Sequence, residues 1–301
     1  MEKENIIINF LLYIHDVTTA VPSAEVNLFA DDTCAFVISK DSSDLKQRLQ
    51  VAADELSSWF DKWLLSINTE KSVIMLIKSP RASSVEVAIS GKVLPQVSSH
   101  KHIGLVFNDQ LTWSNHVDLV MSRVSSQLGL LHRLKGIWPK LAIRTIYLTC
   151  IRPKIEYASV AWSGLSVCDS DRLEKLQRRA ARLITGLPCR SNTPRAILLA
   201  RAGLTSLQKR RQGRRLLLAA RCFNDVPAHM PASLPHWFEL TKPVRARTLQ
   251  NGAAFRLPRA KKSYLKNSPF FLSFSAWSSL SLYVVLTSYS EAKKFIKSEY
   301  S

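Results

Sequence analysis

The spacing of hydrophobic positions changes once along this chain. In the first third, apolar residues come in short runs separated by turn-forming residues. The run Ile6 to Ile14 predicts a buried strand or a helix end. Beyond a Pro22-Ser23 turn, Glu25 to Phe29 and Thr33 to Ile38 flank Ala30-Asp31-Asp32, which predicts a β-hairpin with an acidic tip. Leu45, Leu49, Ala52, Ala53, Leu56, Phe60 and Leu64 then recur at three- and four-residue steps, predicting one amphipathic helix from Ser43 to Leu65, capped by Asp41 or Ser42. A turn at Thr69-Glu70-Lys71 leads to a strand at Ser72 to Ile77. A hairpin follows around Ser90-Gly91-Lys92, then a short strand at His102 to Phe107.

From Trp113 the rhythm is helical. Helices are expected over Trp113 to Leu134, closed by Gly136, and from Pro139 to about Arg152. Pro153 starts a further segment, through Tyr157 to Trp162. A basic helix is expected from Asp169 or Ser170 to Ile184, ended by Gly186; another opens at Thr193-Pro194 and ends at Gly203. Leu207 to Phe223 is a strongly cationic helix. After Val226, prolines become frequent and the periodicity is lost. The fold class is therefore α+β, with a mixed part over 1–112, a basic helical part over 113–225 and an irregular tail over 226–301. Trp138, Tyr147, Tyr157 and Trp162 read as core aromatics.

Charge sharpens this division. Residues 1–122 carry 10 Lys+Arg and 15 Asp+Glu, a net of −5, whereas residues 123–301 carry 32 and 8, a net of +24. Carboxylates that could serve chemistry lie early, and cations that could seek phosphate lie late, as in nucleic-acid-binding chains. Five cysteines, none in CxxC spacing, argue against a disulfide framework and a structural zinc site, and suit an intracellular protein, cytoplasmic or nuclear rather than secreted. The run Ile6 to Ile14 lacks a signal-peptide flank. Phe270 to Leu286 is broken by serines and falls short of a span, so no membrane partner is expected.

Two adjacent aspartates on a stiff hairpin suit nucleotidyl transfer, in which carboxylates hold Mg²⁺ ions about 4 Å apart. The surrounding motifs narrow that reading. Tyr13-Ile14-His15-Asp16 and Leu28-Phe29-Ala30-Asp31-Asp32-Thr33 come first, then Trp59 and Trp63 near the end of the helix. Leu65, Asn68, Lys71 and Ser72 follow, then His102-Ile103-Gly104-Leu105 with Asn108, Leu111, Trp113 and His116. Further on are Ile151, Pro153, Glu156-Tyr157-Ala158, Trp162-Ser163-Gly164 and Leu173-Glu174-Lys175-Leu176-Gln177, with Arg245-Ala246-Arg247-Thr248 and Ala276-Trp277-Ser278-Ser279-Leu280 in the tail. In this order and spacing, over residues 8 to 281, the chain resembles the C-terminal part of reverse transcriptases from non-LTR retrotransposons, the LINE type, and within them the jockey-like branch. His102 stands where the family has Tyr or Phe, and Asn108 where it has Asp.

The resemblance implies a partial polymerase palm over 1–112, made of the acidic hairpin, a helix and short strands, followed by a basic helical thumb and C-terminal region. It implies Asp31 as main Mg²⁺ ligand and Asp32 as its support. Lys71 would attend the leaving pyrophosphate, and Gly104 would belong to a primer grip. RNA template and DNA primer are the implied partners; protein partners are left open. The cations Arg172, Lys175, Arg178, Arg179 and Arg182 follow helical spacing, and Lys209, Arg210, Arg211, Arg214 and Arg215 form a denser cluster. Both sets are expected to bind phosphates without reading sequence.

The family's palm also uses an aspartate and a Ser/Gly-Gln-Gly segment far upstream of the hairpin, and fingers that bind the triphosphate. The chain begins after them, so Mg²⁺ binding is expected to be weak or absent and the chain inactive by itself. The competing readings are a non-catalytic, sequence-independent nucleic-acid-binding protein and a purely structural remnant of a mobile element.

Overall fold

The computed structural model describes residues 2–77, 84–188, 192–224, 263–279 and 289–300. The chain forms two compact units, residues 1–112 and 113–301. Among the described residues, the first mixes helices with three small antiparallel sheets and the second is helical, so the class is α+β.

The first unit opens with α1 (Glu2–Ile14) and the single turn α2 (Val17–Ala20). Here the expectation of a buried strand fails. The isoleucines favour strands only when a neighbour offers a ladder; with none, the uninterrupted apolar run forms a helix. Its side chains from Ile8 onward are largely exposed, with Leu12 64% and Leu11 44% accessible, and among these Ile14 reaches the core. Tyr13 ties the helix down, donating its hydroxyl to the Trp63 carbonyl and meeting the Trp63 ring edge-on at 5.0 Å.

Strands β1 (Glu25–Phe29) and β2 (Asp32–Phe36) pair antiparallel, in register from Glu25 opposite Phe36 to Phe29 opposite Asp32. Helix α3 (Ser42–Lys62) follows. Its cap is Asp41, which accepts from the Asp44 amide. The Ser43 hydroxyl and that amide hold the Asp41 carboxyl below the usual carboxylate range. Helix α3 serves two clusters. Ala52, Leu56 and Trp59 pack with Ile14, Val17, Val21 and Val26, and Ala53 packs with Val85, Val87, Ile89 and Leu94. The Gln50 carboxamide also pairs with both backbone groups of Ala88, at 2.9 Å each, as a neighbouring strand would.

Strand pairing beyond α3 is sparser than the alternation suggests. Residues 72–77 contribute only a bridge between Ile74 and Gln96. The predicted hairpin is β3 (Ala88–Ile89) with β4 (Lys92–Val93). The single strand expected at His102 to Phe107 is instead a hairpin, β5 (Ser99–His102) and β6 (Leu105–Asn108). Its turn is Ile103-Gly104, both at positive φ, +45° and +79°. Glycine at the second turn position lets the chain reverse where the alternating pattern alone reads as continuous.

In the second unit, α4 (Ser114–Arg133) leads to α5 (Lys140–Ile146), one π turn (Tyr147–Ile151) and α6 (Arg152–Glu156). Pro153 lacks an N–H for the carbonyl one turn back, and the widened turn lies just before it. Pro139 stands at the cap of α5, one place before the first helical turn. Helix α7 (Val167–Thr185) is capped by Ser166, whose hydroxyl accepts from the Asp169 amide at 3.0 Å; Asp169 sits inside the first turn rather than at the cap, and Gly186 closes the helix in the left-handed region. Then come α8 (Arg195–Ala202) and α9 (Leu207–Asn224).

The expected irregular tail is corrected where it is described. It contains α10 (Ser263–Lys266), α11 (Pro269–Ser278) and α12 (Tyr289–Tyr300), with α11 and α12 packed on α9. An apolar helix such as α11 has no amphipathic period to reveal it. The Pro-rich stretch, Arg245-Ala246-Arg247-Thr248 and Leu280 lie outside the described residues.

Helix α7 is the hub of this unit, contacting α4, α5, α8 and α9. Its inner face buries Leu173, Leu176, Ala180, Ala181 and Ile184. Helix α12 crosses α9 where a side-chain carbon on Gly213 would lie 2.6 Å from Tyr300 Cβ and 3.1 Å from Ile296 Cγ2. Trp162 and Tyr147 are fully buried, as expected of core aromatics. Trp138 and Tyr157 are 42% and 51% exposed, which corrects that reading for both.

His116 is buried, 4% exposed, with its ring 5.2 Å from Trp162. Burial, and then the charge of Arg123, push its pKa down. The unfolded chain therefore binds a proton that the folded one resists, and the stability tied to a neutral His116 is lost as pH falls below about 6.5, the ordinary histidine value. We expect His116→Phe, which keeps a ring against Trp162, to lessen the loss of urea midpoint between neutral pH and pH ~5. An unchanged pH profile would remove His116 as its source.

Candidate functional site

The acidic tip is a two-residue turn, Ala30-Asp31, between Phe29 and Asp32. Ala30 has φ +51°, a conformation that costs an alanine about 1 kcal/mol and that glycine would adopt freely. Asp31 occupies the second turn position and Asp32 begins β2, so the carboxylates are neighbours in sequence on one rigid corner. Both are exposed. The hairpin stands on the α3 core through Val26, with Leu28 and Ala35 packed against it.

Aspartate oxygens are the hard donors that Mg²⁺ takes. Among the described residues, however, no three His, Cys, Asp or Glu side chains gather in a group that could hold a metal ion. Two-metal chemistry needs a carboxylate shared by both ions, so the described donors do not complete such a site. A separate pocket of 340 Å³ opens between α1 and the end of α3, lined by Asn9, Leu12, Tyr13, His15, Asp16 and Trp63. It does not include Asp31 or Asp32.

Lys71 is exposed in the turn after α3. Its amide is held by Asn68, through both the backbone carbonyl and the side-chain oxygen at 3.2 Å. Gly104 is exposed at the β5–β6 turn. Asn108, at the far end of β6, is buried; its Nδ2 donates to Thr112 Oγ1 at 2.7 Å and its Oδ1 accepts from the Thr112 amide at 2.8 Å. This is a turn-capping task that an aspartate could also perform.

The cations behave less uniformly than their spacing suggests. Arg172 binds Asp118 and, at 3.0 Å, Asp169. Arg210 and Arg214 converge on Glu156, which is 5% exposed: Arg214 Nη2 and Arg210 Nη2 donate to it at 2.9 and 3.2 Å, and Arg210 Nε donates as well. Arg152 is 3.7 Å from the same carboxylate. Arg211 is buried and donates to Ser170 Oγ at 2.8 Å, and burial pushes its guanidinium pKa down. Four of the ten expected phosphate-binding cations are thus engaged inside the unit. The Nε atoms of Arg178, Arg182 and Arg215 are buried without a hydrogen-bond partner. Lys175, Arg179 and Lys209 are exposed.

Sequence reasoning missed the network behind these arginines. Glu174 pairs with Arg195 at 2.7 Å and accepts the Gln208 amide at 2.9 Å, so it caps α9 from α7. Gln177 accepts from the Tyr147 hydroxyl and donates to the Thr205 carbonyl at 2.6 Å; burial raises the Tyr147 pKa. The available signal was that Glu174 and Gln177 fall on the apolar face of α7, where an unpartnered polar group would be costly.

The chain is similar to the probable RNA-directed DNA polymerase from transposon X-element of Drosophila melanogaster, 30% identical over 190 residues, which are 59% of this chain and 20% of that protein. It is similar to the RNA-directed DNA polymerase from mobile element jockey of the same fly, 22% identical over 189 residues, 60% of this chain and 21% of that one. A putative 115 kDa protein in type-1 retrotransposable element R1DM of Drosophila melanogaster is 25% identical over 163 residues, 52% of this chain and 16% of its own length. The chain thus spans about a fifth of the length of these relatives. No family model and no solved structure matches it. In ancestry the chain is related to a part of the jockey-like, LINE-type reverse transcriptases of non-LTR retrotransposons.

Proposed function

We propose that the chain is the portion of an RNA-directed DNA polymerase that carries the acidic palm hairpin and the start of the thumb, and that by itself it does not extend a primer. The supporting observation is the pair of exposed carboxylates on a rigid antiparallel corner, in a chain related to such polymerases. In the complete enzyme, Asp31 would hold Mg²⁺ with Asp32 beside it, and the metal would supply charge for the phosphoryl chemistry. Lys71, on its Asn68-held turn, would meet the leaving pyrophosphate. Gly104 would let the backbone approach the primer end, and RNA template with DNA primer would be the ligands. Incubation of the 301-residue chain with RNA template, DNA primer, deoxynucleotides and Mg²⁺ is expected to give no extension. Extension that vanishes on Asp31→Ala would overturn the inactivity.

A second reading, sequence-independent binding of nucleic acid without chemistry, is favoured by the exposed cations Lys175, Arg179 and Lys209 on a strongly basic unit. It has them neutralising phosphates, with Arg178, Arg182 and Arg215 lending charge from partial burial, and Arg172, Arg210, Arg211 and Arg214 serving the fold. Affinity for RNA should fall steeply with salt, at a log–log slope of about −0.7 per phosphate contacted on a single strand. Affinity independent of salt would rule this reading out.

A further inference from the structure

The corner between α4 and α5 gathers four exposed large apolar side chains. Leu130, Ile137, Trp138 and Leu141 are 56%, 74%, 42% and 71% exposed, although the unit has an extensive core. The corner is not loose. Ile137 and Trp138 donate their amides to the Leu134 carbonyl at 3.1 Å, and the Lys135 amide donates to His132 at 3.2 Å. Large apolar side chains are thus presented on a hydrogen-bonded turn.

Charge identifies what would cover them. Residues 119–155 contain no Asp or Glu but seven Lys or Arg. His132, Arg133, Lys135 and Lys140, all exposed, interleave with the apolar residues. The patch is also continuous with the basic face of α7. A side-chain carbon built on Gly129 would lie 4.0 Å from Arg179 Nη2, and one on Gly186, at the end of α7, 3.3 Å from Lys140 Cε. A cationic track therefore runs from α7 to a corner that offers an indole. Strand backbones follow such tracks, and unpaired bases stack on such rings.

Resting on the nucleic-acid reading above, we infer that the α4–α5 corner is a binding site for single-stranded nucleic acid, in which Trp138 stacks an unpaired base while Lys135, Lys140 and Arg179 hold the flanking phosphates. A duplex keeps its base faces stacked on each other and can use only the cations. The site should therefore separate single strands from duplexes through Trp138 alone.

The test measures anisotropy of a labelled oligouridine, and of an RNA duplex of the same length, with the full chain and its Trp138→Ala and Trp138→Phe variants. Trp138→Ala should weaken oligouridine binding about tenfold or more, since stacking on one aromatic ring is worth that much, and should leave duplex binding nearly unchanged. Trp138→Phe should restore most of the loss. Because Trp138 is half exposed, its removal opens no core cavity, and matching circular dichroism spectra confirm the fold. Unchanged oligouridine binding by Trp138→Ala, or an equal loss for duplex, would overturn the site. So would Trp138-dependent sedimentation with phosphatidylserine vesicles while RNA binding stays unchanged, which would make the corner a lipid contact. If the unsubstituted chain binds neither RNA form, the nucleic-acid reading falls as well; if it binds both and Trp138→Ala changes nothing, only this site falls.

Discussion

Glu156→Ala should destabilise the helical unit by about 3–5 kcal/mol, the loss typical of stripping one partner from a buried ion pair. Glu156 is 5% exposed and gathers Arg152, Arg210 and Arg214. Without it, guanidinium groups from α6 and α9 face one another with no carboxylate between them. Arg214 would keep its bond to the Glu156 backbone carbonyl and its 3.3 Å contact with Ser159 Oγ, too little to balance the charge. The urea midpoint, followed by far-ultraviolet circular dichroism, measures the loss. A midpoint equal to that of the unsubstituted chain would mean that the arginines find other partners. Glu156→Gln should fall between, since it keeps the acceptor and removes the charge.

Trp162→Ala should cost about as much, roughly 3–5 kcal/mol, by a different route. Trp162 has no exposed surface, its Nε1 donates to the Tyr157 carbonyl at 2.7 Å, and its ring is 5.2 Å from His116. Alanine would leave a cavity, remove the hydrogen bond to the Tyr157 carbonyl and take one ring from beside His116. Trp162→Phe should recover part of the stability by refilling the volume without restoring the hydrogen bond from the indole. If thermal unfolding places Phe and Ala together, the hydrogen bond rather than the volume sets the cost.

These two positions belong to the segment, Glu156-Tyr157-Ala158 through Trp162, that made the resemblance specific. Their surroundings are those of fold determinants. Glu156 ties α6 to α9, and Trp162 joins the end of the α6 segment to His116 on α4. Residues 46 positions apart thus meet in one core.

The acidic hairpin was legible because two apolar runs and a turn lie within a dozen residues, where local preference decides. Helices α3, α4, α7 and α9 were legible through their period, and α3 also through its Asp41 cap. What escaped depends on distant partners. The run that forms α1 read as a buried strand or a helix end because isoleucine preference is settled by neighbours, and the β5–β6 turn was hidden because one glycine interrupts an otherwise regular alternation. The cations of α9 recur at helical spacing, but nothing local says that Arg210 and Arg214 end on a carboxylate 54 and 58 residues earlier while Lys209 faces solvent. Within the candidate site, the hairpin and its aspartates could be read directly. Which arginines remain available to a phosphate could not.

The crossing at Gly213 has an evolutionary consequence. Helix α12 is seated on α9 through a missing side chain, since even one carbon there would collide with Tyr300 Cβ at 2.6 Å. A drifting lineage could exchange lysine for arginine along the exposed face of α9 with little effect, whereas a single codon change at 213 would detach the final helix. Selection for an attached α12 would thus be recorded at a position that carries no charge and no side chain at all.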